Sequence, residues 1–99
     1  MPGPALAALL DVRGSTFTGN NTASDSGGGI YNLGTTTLQQ CSLSGNSAGS
    51  DGGGVFNGAS GTFTVKDSTV LNNVAPSGAD IYNLGVLILD DSAVGVIGT

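Results

Sequence analysis

Apolar positions recur along this chain on two scales, one inside short segments and one between them. Within segments the period is two: Thr36 and Leu38 alternate with Thr35 and Thr37, Phe63 and Val65 with Thr62 and Thr64, and Leu87 and Leu89 share one parity. Ser15 and Phe17, Cys41 and Leu43, Ser68 and Val70, and Ser92 and Val94 repeat that alternation. Period two puts alternate side chains on one face of a strand, and threonine, valine and isoleucine favour strands while the glycines between runs interrupt them. The spacing predicts short strands throughout and no helix.

Between segments the same columns return. Ile30, Val55 and Ile81 lie 25 and 26 residues apart; Leu38, Val65 and Leu89 lie 27 and 24 apart; Phe17, Leu43, Val70 and Val94 are spaced by 26, 27 and 24. A unit of this size cannot bury its own apolar face and must stack on its neighbour. Each period holds three short strands, through IYN, through the segment ending at Leu38, Val65 or Leu89, and through STF, CSL, STV or SAV. The expected fold is an all-β, right-handed, single-stranded parallel β-helix of about three full coils plus a partial one over residues 12–99, preceded by an apolar segment or cap over residues 1–11. The coil is longer than the hexapeptide turns of many left-handed solenoids. A small antiparallel sandwich is the alternative, but it does not explain why corresponding strands share side-chain identities.

One word is nearly repeated: GGGIYNLGT from Gly27, GGGVFNGAS from Gly52 and GADIYNLGV from Gly78. Counting back from inward Ile30 places Gly28, Gly53 and Ala79 inside, where little room exists, and the neighbouring glycines suit a tight turn. Gly29, Gly54 and Asp80 then read as an outward column. These glycines lack the strand, helix and spacing of a nucleotide loop. Counting forward places Asn32, Asn57 and Asn83 in a bend, and Asn20, Asn46 and Asn73 form a second set. Stacked amides can bond to backbone at a turn and to the amide of the next coil, so both sets are expected to be structural ladders. Cys41 shares the inward column of Ser15, Ser68 and Ser92 and reads as a small core residue.

Composition narrows the chemistry. Among 99 residues there are 18 glycines, two basic side chains, seven acidic ones and no histidine, for a net charge of -5. That balance argues against a surface that neutralises nucleic-acid phosphates. The single cysteine leaves the redox compartment open. Residues 4–10, PALAALL, are too short to span a bilayer and read as a terminal cap or as the remnant of a signal sequence or longer protein. Neither solenoid end has a clearly polar cap, so end-to-end self-association is an expectation.

Tyr31, Phe56 and Tyr82 form an outward aromatic column that either covers a sheet or presents apolar contact to a sugar or protein. Threonine rows at Thr35, Thr37, Thr62 and Thr64 are similar to ice-binding surfaces, but the row turns aliphatic at Val86 and Ile88. An enzyme reading, a truncated polysaccharide lyase or hydrolase, needs acids grouped near Lys66 or Arg13, and with no histidine its acid-base and charge-stabilising roles are hard to fill. No catalytic residue and no cofactor is assigned. Calcium is the one metal considered, at Asp25 and Asp51, whose surroundings lack the spacing of a nonapeptide repeat or of a twelve-residue helix-loop-helix site; solvated turn acids are the simpler reading.

With GGGI at Gly27 to Ile30 and FTGN at Phe17 to Asn20 in view, the chain resembles the chlamydial polymorphic outer membrane protein repeats, which are marked by a GGAI-like word and an FxxN word. GGGV matches the first loosely, LSGN and VLNN keep the second with aliphatic substitutions, and GADI departs furthest. The resemblance covers about Val12 through Val94. It implies a bacterial surface or extracellular passenger, an adhesion-type scaffold with a protein or glycan partner, and it brings no binding residue with it. The strands here are too few and too glycine-rich for a membrane-spanning barrel.

Overall fold

The computed structural model describes residues 9–22 and 24–99. The chain winds as a right-handed parallel β-solenoid of about three coils, with equivalent strands of successive coils paired side by side. The first sheet contains β1 (Leu9–Arg13), β5 (Thr35–Gln39), β9 (Thr62–Lys66) and β12 (Val86–Asp90). The second contains β2 (Thr16–Thr18), β6 (Ser42–Ser44), β10 (Thr69–Val70) and β13 (Ala93–Val94). The third contains β4 (Ile30–Asn32), β8 (Val55–Asn57), β11 (Ile81–Asn83) and β14 (Ile97–Gly98). A short fourth pairing, β3 (Asn21–Thr22) with β7 (Ser47–Ala48), was not expected from the sequence and continues as an isolated bridge from Ser47 to Val74. The first sheet begins at Leu9, so β1 takes the end of the apolar run; the remainder of the expected cap lies outside the described residues.

Register carries the sequence columns into space. Leu38 pairs with Val65 and Val65 with Leu89; Leu43 pairs with Val70 and Val70 with Val94; Val55 pairs with both Ile30 and Ile81. Leu38, Leu43, Val55, Phe63, Val65, Val70 and Ile81 are fully enclosed. Each such side chain contributes about 1.5–3 kcal/mol of burial. Val12 and Phe17 below, and Leu87 and Val94 above, flank this core and are only partly covered, because each has a coil on one side alone.

Left-handed residues recur at fixed turns of the coil, though not between the third sheet and the first. Gly14, Gln40, Asp67 and Asp91 turn from the first sheet into the second, with φ of 59°, 54°, 48° and 47°. Asp67 and Asp91 thus have a structural explanation, since aspartate tolerates this region better than most side chains. Gly27, Gly52 and Gly78 occupy the same region just before the third sheet. One residue further on, a Cβ on Gly53 would press into the carbonyl oxygens of Ala79 and Val74, so the inward glycine column is required by the close approach of adjacent coils.

Asp80 departs from the sequence expectation. Its column with Gly29 and Gly54 predicts an outward side chain, yet it is buried. A Cβ at Gly29 would approach the Asn46 side chain and one at Gly54 the Asn73 amide, so this column faces the asparagine corner. In the last coil the chain cuts from Val94 through Gly95 and Val96 straight to β14, no asparagine fills the corner, and the Asp80 carboxylate enters the space instead.

Candidate functional site

Two amide ladders hold the corners. Asn32 Nδ2 donates to Asn57 Oδ1 at 2.9 Å, and Asn57 Nδ2 donates to Asn83 Oδ1 at 2.8 Å. On the second corner Asn20 Nδ2 donates to Asn46 Oδ1 at 2.9 Å and Asn46 Nδ2 to Asn73 Oδ1 at 3.0 Å. Each oxygen of this second ladder also accepts the backbone N–H of the rung below, at 3.1 and 3.0 Å. Asp80 Oδ1 repeats the pattern, accepting both Asn73 N–H and Asn73 Nδ2 at 3.0 Å, while Oδ2 accepts Val96 N–H at 2.7 Å. A carboxylate fits where an amide would not, because donors approach both of its oxygens. Among the described residues every buried side-chain polar atom has a partner. All six asparagines are therefore engaged in holding the coils.

Cys41 is likewise enclosed, its Sγ directed at Val12 O and Gln39 O at 3.2 and 3.3 Å. In the same column Ser68 Oγ donates to Lys66 O and accepts Cys41 N–H. A serine at position 41 has those same carbonyls in reach, so Cys41→Ser is expected to change stability by less than about 1 kcal/mol. Thiol alkylation is expected to be slow in buffer and fast in denaturant; rapid native labelling would contradict the burial.

The surface column is less uniform than the sequence suggests. Parallel register stacks the rings of Tyr31 and Phe56 with centroids 4.8 Å apart, and those of Phe56 and Tyr82 5.6 Å apart, near the natural spacing of strands. Phe56, clamped between the tyrosines, is only 9% exposed, and Tyr82 is half-buried, whereas Tyr31 remains 55% exposed. Of the three aromatic candidates, Tyr31 alone offers a largely open ring.

Beside it lies an open cleft of about 490 Å³ lined by Thr22, Ser24, Asp25, Ser26, Tyr31 and Ser50. Asp25 is exposed here, and its carbonyl accepts Ser50 N–H at 3.1 Å. Asp51 stands one coil on, with its carboxylate taken by Ser50 Oγ at 3.3 Å and its carbonyl by Gly27 N–H at 2.9 Å. Among the described residues no three histidine, cysteine or acidic side chains gather as a metal-binding group. The two cations lie elsewhere, on the first sheet: Arg13 pairs with Asp11 at 3.1 Å, and Lys66 lies in register with Asp90. The fold thus separates the chain's bases from Asp25 and Asp51.

No protein-family model matches the chain, and neither a curated protein nor a solved structure matches it. Among the described residues no helix is long and apolar enough to cross a membrane.

The sequence reasoning missed Asp80, although two signals pointed to it. Phe17, Leu43 and Val70 are each followed three residues later by asparagine, while Val94 is followed by Ile97; and one acid interrupts a column of glycines. An absent rung and an unexplained carboxylate complement each other.

Proposed function

We propose that the chain is a noncatalytic solenoid scaffold, displayed outside a cell, whose Tyr31 cleft takes a saccharide. The observation that carries this reading is the one open ring at the end of an otherwise covered aromatic stack, set beside hydroxyls and a carboxylate. A pyranose presents an apolar face that packs on such a ring and hydroxyls that a serine, threonine or aspartate can bond. The stack beneath holds Tyr31 with little rotamer freedom left to lose on binding. The resemblance to chlamydial polymorphic outer membrane protein repeats supports the surface placement and an adhesive role.

A panel of neutral and acidic oligosaccharides, read by direct binding and in parallel for cleavage, tests this proposal. Binding without cleavage is expected, with Tyr31→Ala weakening it by about tenfold and Phe56 left in place. Absence of binding across the panel, or equal binding by the Tyr31→Ala chain, would sink the assignment; cleavage products would favour the enzyme reading.

A further inference from the structure

The two ends of the solenoid complement each other. Above, Leu87, Leu89, Val94 and Ile97 close the core columns; below, Leu10, Val12 and Phe17 open them, while Ile30, first of its column, is already buried. In the middle coils these columns are sealed, but Leu10 is 51% exposed, Leu89 45% and Ile97 43%. Among the described residues no strand pairs the outer backbone groups of β1, β2 and β4 at one end or of β12, β13 and β14 at the other. We propose that a second copy of this chain seats its first coil on the last coil of the first, adding β1 to β12, β2 to β13 and β4 to β14.

Charge fixes the match. Continuing the internal register sets Leu9 beside Val86, Leu10 beside Leu87, Val12 beside Leu89 and Arg13 beside Asp90. Within one copy that last column runs Arg13, Gln39, Lys66, Asp90, so it holds both of the chain's cations and ends on an acid. The joint therefore brings Asp90 of one copy against Arg13 of the next at strand spacing. The exposed aliphatic pair Leu9 and Val86 meets on the outside of the sheet, and Ile88 beside Asp11 stays at the wet outer face. Such a contact is heterologous and does not close, so it builds rods that lengthen with concentration.

Sedimentation velocity of the 99-residue chain over a concentration series is the test, with an increase in mass in whole-chain steps expected. Leu89→Lys blocks the upper face and Val12→Lys the lower; each is expected to be monomeric alone, and an equimolar mixture to stop at a dimer. Asp90→Arg and Arg13→Asp, both at exposed positions, are each expected to weaken association by at least about tenfold, and the two reversals in one chain to restore it. A parent chain that stays monomeric throughout overturns the proposal. So does dimerisation of either blocked variant by itself, which would mean that like ends meet, or failure of the double reversal to recover assembly.

Discussion

Asn57→Leu is expected to lower the stability of the chain by about 3 kcal/mol, since the hydrogen bonds of its buried amide are lost together at about 0.5–1.5 kcal/mol each. Asn57 is fully enclosed and occupies the middle of its ladder. Its Oδ1 accepts from Asn32, and its Nδ2 lies within bonding distance of Asn83 Oδ1, Gly61 O and Val86 O. Leucine fills a similar volume, so the loss is not one of packing. It removes one of the acceptors of the Asn32 amide below, which keeps Gly34 O and Thr62 O, and takes the donor from Asn83 Oδ1 and Val86 O above, so one substitution disturbs three coils. Asn20, exposed at the foot of the other ladder, has fewer bonds to lose, and Asn20→Leu is expected to cost less than half as much. Equilibrium denaturation of both variants against the parent checks the ordering, and a near-native midpoint for Asn57→Leu would contradict a ladder that carries stability.

Asp80→Ala is expected to cost about 3 kcal/mol, because two backbone N–H donors lose their acceptor together. These are Asn73 N–H and Val96 N–H; the Asn73 amide loses one bond but keeps Leu43 O and Leu71 O. Asp80→Asn separates shape from chemistry. Whichever way that amide is turned, its NH2 faces a donor, either Asn73 or Val96, so a loss of about 1–2 kcal/mol remains even though the side chain has the same size. The order parent, Asn, Ala in thermal or urea unfolding is the expected outcome. If the asparagine variant matched the parent, the carboxylate would not be the closing group.

The coil period, the strand faces and both asparagine ladders could be read from the sequence because each is stated several times over. A column such as Leu38, Val65 and Leu89 has only one explanation when its neighbours Phe63 and Leu87 return with the same parity. The features that escaped occur once or depend on what the next coil does. Asp80 points inward only because β14 follows so closely on β13, and Asp67 and Asp91 occupy corners whose left-handed backbone leaves no repeated sequence sign, since glycine and glutamine fill the same place. Phe56 looked as outward as Tyr31 by parity, and parity is correct for the direction of the side chain. It does not tell that ring contacts at strand spacing hide the middle member of a stack and leave the first one open.

The shortened turn after β13 also bears on how such a rod could change its length. The corner sealed by Asp80 offers no amide to a further rung, so a coil appended beyond it in the same chain would start with one ladder interrupted. At Asn57 and Asn46 the situation is reversed: each accepts from the rung below and donates to the rung above. Duplication of a whole unit is therefore least disruptive in the interior, where new turns inherit both neighbours' registers and the Asp80 corner is left untouched.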